Sequence, residues 1–81
     1  MTREDVLLFV KDTVARLTDV PAAEVSPTSK FADLGVDSLA MIEIAVAAED
    51  KFGVRIDDDE VERLVTVDDV VDHVLESQAV R

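Results

Sequence analysis

Ser38 directly follows Asp37, and the pair begins two residues after Gly35, at the head of an apolar run. Asp is a favoured N-cap, and Gly35 permits a tight turn before it, so the spacing predicts a helix that begins at Ser38. The first turn of a helix leaves backbone N–H groups unpaired and carries the positive end of the helix dipole. A phosphoryl group on the Ser38 hydroxyl would therefore sit in a favourable field. Serine is also an ordinary first-turn residue, so the pair alone leaves a purely structural role open. Other chemistry is scarce. The chain has no cysteine, which excludes disulfides, thiolate metal sites and a cysteine nucleophile; any thiol must be imported. His73 is the one histidine, with no nucleophile or acid at a motif spacing, and reads as a surface or packing residue. The run Asp57-Asp58-Asp59-Glu60 lacks the spacing and glycine of a calcium loop and reads as an acidic helix start. Neither a metal site nor a catalytic set emerges.

The elements that must position Ser38 follow from capping and periodicity. Apolar residues across 6–20 recur as Val6, Val10, Val14 and Leu17, behind Thr2 and Asp5 as a capping pair, which predicts a first helix. Residues 19–30 hold Pro21, Pro27, Ser26 and Ser29 and read as a long loop. The second helix runs from the Asp37 cap to about Phe52, with Gly53 as its stop. Asp57 and Glu60 have capping-box spacing before Val61 and Leu64, a brief third helix; Thr66 and Asp69 repeat it before Val67, Val70, Val71, Val74 and Leu75, a fourth. With no strand alternation and no dividing linker, the 81 residues read as one all-α domain, a small four-helix bundle with three longer helices and one short one. A chain of this length has a small core, which leaves little room for a large buried active site.

The second helix has two unlike faces. Met41, Ile44, Ala45, Ala48 and Phe52 share an uncharged arc, the core side at 100° per residue. The opposite arc holds Glu43, Glu49 and Asp50 together with Leu39, Ile42 and Val46. Periodicity leaves two readings open for those three apolar residues: burial under the loop or third helix, or cover by a partner. Charge favours a partner, and a basic one. The net charge is −11, and residues 33–81 carry 14 acids and 4 bases against 5 and 4 in residues 1–32. That balance repels nucleic acid and anionic membranes and steers cationic surfaces in. No basic leader followed by a long apolar run is present, so a cytoplasmic protein is expected.

The stretch Asp33-Leu34-Gly35-Val36-Asp37-Ser38-Leu39, the apolar helix bearing Glu43 and Glu49, and Phe52-Gly53-Val54-Arg55-Ile56 together resemble an acyl carrier protein over nearly the whole chain. The resemblance implies that Ser38, flanked by Asp37 and Leu39, is esterified by the phosphopantetheine arm of coenzyme A, whose thiol carries acyl groups as thioesters. It further implies that the chain is not an enzyme but a monomeric carrier and the substrate of a phosphopantetheinyl transferase. Leu39, Ile42, Glu43, Val46, Glu49 and Asp50 match the family's recognition helix, which meets basic patches on ketosynthase, acyltransferase, ketoreductase and related enzymes of fatty-acid or polyketide synthesis. Phe31, Leu34, Met41, Ile44, Ala45, Ala48, Ile56, Val61 and Leu64 match positions lining its cargo cleft. Ala40 replaces a residue often polar in fatty-acid carriers, and Asp57 a frequent proline. Ser38-Leu39-Ala40 resembles aromatic polyketide carriers, whereas the residues from Asp57 to Thr66, and His73, resemble fatty-acid carriers. Two alternatives stand beside this reading: an aminoacyl or peptidyl carrier, and an acidic interaction module with Ser38 unmodified.

Overall fold

A computed structural model describes residues 2–79. Among them are four α-helices: α1 (Arg3–Leu17), α2 (Ser38–Phe52), α3 (Asp58–Val61) and α4 (Val67–Ala79). Each long helix begins where a side chain meets orphan backbone donors. The Thr2 Oγ1 accepts the Asp5 N–H at 3.2 Å while the Asp5 carboxylate accepts the Thr2 N–H at 3.0 Å. Asp37 Oδ1 accepts the Ala40 N–H at 2.8 Å. The Asp69 carboxylate accepts the N–H groups of both Val65 and Thr66 at 2.9 Å. Those donors, Thr66 foremost, hold the Asp69 carboxyl below the ordinary Asp range, because they favour its charged form.

The core is built chiefly from β-branched residues on three helices. Val6, Val10 and Val14 of α1, Ile44 of α2, and Val67, Val70, Val71 and Val74 of α4 are almost fully buried. Full burial of such a side chain contributes about 1.5–3 kcal/mol, which overrides valine's weak helix propensity. α1 packs mainly on α4, and the Arg3 guanidinium joins their N-terminal ends by bridging Asp68 at 2.8 Å and Asp72 at 2.6 Å. Phe9 and Phe52 meet edge to face, with ring centroids 5.0 Å apart.

Two sequence expectations are corrected. Helical spacing reaches Val20, but α1 stops at Leu17. The Thr18 hydroxyl donates to the Val14 carbonyl at 2.8 Å and accepts the Val20 N–H at 3.1 Å, turning the chain before Pro21. The following segment is more ordered than a long loop. It forms short 3-10 turns at Ala22–Glu24 and Phe31–Leu34 and buries Val25 and Phe31 in the core. Main-chain bonds staple it to the start of α4: Phe31 N–H to Val65 O at 3.0 Å, Val67 N–H to Ser29 O at 3.0 Å and Asp68 N–H to Pro27 O at 2.9 Å. Gly35 closes the second turn at φ +81°, in the left-handed region that glycine tolerates best.

α3 is held differently. It spans four residues and buries none of them. The connection that leads into it is tied down by side chains bonding to its backbone. Gln78 Nε2 donates to Phe52 O at 2.9 Å, His73 Nε2 to Arg55 O at 3.1 Å, and Glu49 Oε2 accepts the Ile56 N–H at 2.8 Å. His73 Nδ1 also lies 3.3 Å from Glu60 Oε2, which joins α4 to α3 directly.

Candidate functional site

Ser38 is the first residue of α2, one place after its cap. Its side chain is exposed, and its hydroxyl bonds to no other described residue. The cap fixes the helix start without using that hydroxyl, so Ser38 is free to react while the fold stays intact. The positive end of a helix of 15 residues lies under it.

Beside Ser38 opens a cavity of about 500 Å³, lined by Phe31, Ala32, Val36, Asp37, Ser38, Met41, Ile42, Asp58, Val61, Glu62, Leu64 and Val65. Its walls come from the turn before α2, the first turns of α2, and α3 with the residues after it. The interior is apolar and the charged rim acidic, with no Lys or Arg among the lining residues. A diffusible phosphate would find only the helix end to attract it and three carboxylates to repel it. The arrangement places an exposed hydroxyl at a helix end that favours an anion and beside a cavity that can take an apolar group.

The candidate site residues fall into three groups. Leu39, Ile42 and Val46 are 67%, 48% and 55% exposed, and Glu43 and Asp50 are exposed beside them. This decides the open question of periodicity: neither the loop nor α3 covers that face, although Ile42 also borders the cavity. Glu49, grouped with them by helical spacing, is half-buried and already bonded to Ile56. Of the nine cleft candidates, Phe31, Met41, Val61 and Leu64 line the cavity. Ile44, Ala45, Ala48 and Ile56 are sealed in the core, and Leu34 packs against it. Val36, Ala32 and Val65 line the cavity without having been singled out in the sequence; Val36 had a signal, as the buried apolar neighbour of the Asp37 cap. Asp57–Glu60 forms the acidic start of α3, and no metal-holding cluster occurs among the described residues.

Residues 9–74 match the family model described as a phosphopantetheine attachment site. The chain is 45% identical over 75 residues to the acyl carrier protein of Acidothermus cellulolyticus, covering 91% of this chain and 89% of that one. The structure superposes on the acyl carrier protein of Thermotoga maritima with a TM-score of 0.83 at 25% identity, over 95% of this chain and 91% of the other. It superposes on the acetyl actinorhodin acyl carrier protein of Streptomyces coelicolor with a TM-score of 0.75 at 26% identity, over 98% and 92%. The chain thus belongs to the acyl carrier proteins, non-catalytic carriers of a phosphopantetheine group.

Proposed function

We propose that Ser38 is the attachment residue and that this single carrier domain, a cytoplasmic monomer, presents acyl groups to the enzymes of fatty-acid or polyketide synthesis. The observation that carries the reading is the exposed, unbonded Ser38 hydroxyl at the head of α2 and at the mouth of an apolar cavity. When bound, phosphopantetheine supplies a long flexible chain ending in the thiol that this cysteine-free protein lacks. Asp37 keeps the helix start in place, and the Ser38 oxygen forms the phosphate ester by displacing the nucleotide half of coenzyme A as its pyrophosphate linkage breaks, with a phosphopantetheinyl transferase removing the hydroxyl proton. Leu39 flanks the linkage on the exposed side. Phe31, Met41, Val61 and Leu64 accept the apolar part of the cargo, each buried methylene contributing about 0.8 kcal/mol before the cost of moving α3. Leu39, Ile42 and Val46, rimmed by Glu43 and Asp50, form the surface for basic patches on the transferase and on synthase enzymes such as ketosynthase, acyltransferase and ketoreductase. Acidic charge there accelerates encounter, and the apolar residues supply the buried contact.

Intact mass after incubation with coenzyme A and a broad-specificity phosphopantetheinyl transferase tests the assignment. The wild type gains one arm, whereas Ser38→Ala gains none and keeps its helical circular dichroism, because Asp37 remains as cap and Ala is a good helix former. An arm on the Ala variant, or an unmodified wild type, would refute it, the latter in favour of an acidic interaction module.

A further inference from the structure

Three of the residues that line the cavity are themselves buried: Phe31, Val36 and Met41. Phe31 and Val36 belong to the turn before α2, where the Val36 N–H donates to the Phe31 carbonyl at 3.0 Å. Met41 stands on α2 itself, and its unbranched side chain adapts its shape to irregular space. On that helix the cavity is lined by Ser38, Met41 and Ile42 and reaches no further. Ala45 and Ala48 follow on the same strip of helix as Met41, and both are buried outside the cavity. Helical side chains lean towards the N-terminus, which tilts Met41 towards the Ser38 turn and the open space beside it. Met41 therefore stands between that space and a strip of α2 that carries only methyl groups.

We propose that Met41 is a specificity-determining residue: its side chain closes the cavity against the Ala45–Ala48 strip and so limits the length of apolar chain that the cavity accepts. A cargo carbon that enters the existing space leaves water and gains contact with the walls. A carbon that must pass Met41 gains burial only by displacing thioether atoms that are already packed, so the exchange brings little net stabilisation. Shortening Met41 changes that balance. Met41→Ala removes the side chain beyond Cβ, about three heavy atoms, and leaves their volume to the cavity. The limit on cargo rests on the proposed function, whereas the partition itself is measurable on the chain without its arm.

The experiment has two arms. Methyl NMR of the unmodified chain under xenon, which enters apolar cavities, tests the partition. In the wild type xenon should shift the methyl signals of Met41, Val61 and Leu64 and leave Ala45 and Ala48 in place; in Met41→Ala it should shift Ala45 and Ala48 as well. Met41→Leu, of similar volume, should behave as wild type, and Met41→Val replaces the Ala variant if that one does not fold. The second arm is the melting temperature of the chain loaded with saturated acyl thioesters from butyryl to myristoyl. The gain should level off within the series in the wild type and about three carbons later in Met41→Ala. Xenon at Ala48 in the wild type, or none there in a folded Ala variant, overturns the partition. A gain that never levels off in the wild type, or levels off at the same length in both chains, overturns the length limit. If no acyl group raises either melting temperature, the limit falls together with the proposed cargo reading, and the xenon result stands on its own.

Discussion

α1 and α4 bury seven valines between them, whereas α3 buries no residue at all. The first region is held by dry packing, in which removing a methyl group leaves a cavity whose lining loses its contacts. The second is held by a few side-chain bonds to backbone atoms, each replaceable by water or by another ion at modest net cost. The firm part anchors α2, the helix that begins at Ser38, through Ile44, and the lightly held part borders the cavity.

The contrast is tested most severely by cutting into each region. Ile44→Ala, in the sealed core, should cost about 2–5 kcal/mol, lowering the melting temperature by roughly 10 °C or more. Val61→Ala, on the half-buried wall, should cost less than about 1.5 kcal/mol. Equal losses in thermal unfolding would erase the distinction.

A smaller effect is expected at the seam, where the cavity rim at Val65 runs into α4. The Asp69 carboxyl is held below its ordinary value by the Thr66 and Val65 N–H groups, so the folded chain binds that proton less readily than the unfolded chain. Its stabilisation is present above about pH 4 and is lost as pH falls through the lowered folded-state value. Asp69→Ala should therefore melt below wild type at neutral pH, with the gap closing as pH approaches about 2. A gap independent of pH would mean that the bonds matter through shape alone.

The smallest change in stability belongs to the exposed face of α2. Glu43→Lys should leave the melting temperature within about 4 °C while slowing association with a basic synthase enzyme, and the wild-type rate should fall as salt rises. Stopped-flow rates indifferent to both would reduce the acidic face to a solubilising one.

The parts of the molecule legible in its sequence are those governed by short-range rules. The Thr2–Asp5 pair, the Asp37 cap, Gly53 and the Thr66–Asp69 pair each act within a few residues, so their spacing announces them. The bonds that attach α3 do not: Gln78 meets Phe52 across 26 positions and His73 meets Arg55 across 18. A polar side chain shows no preference in sequence for one distant carbonyl over another. The order in the first loop was hidden likewise, because it rests on backbone pairing with the start of α4. Periodicity also cannot separate a cavity wall from a closed core on the same helical arc. Met41 reaches the cavity while Ile44, Ala45 and Ala48 lie behind it, a difference set by where α3 stops.

The claim that the lightly held wall receives the cargo is tested most directly by methyl NMR of the chain carrying the unloaded arm and the same chain carrying an octanoyl thioester. The methyl signals of Met41, Val61 and Leu64 should shift on octanoyl loading while those of Val10 and Val71 stay in place. Unmoved signals at Val61 and Leu64, with the thioester confirmed by mass, would contradict it.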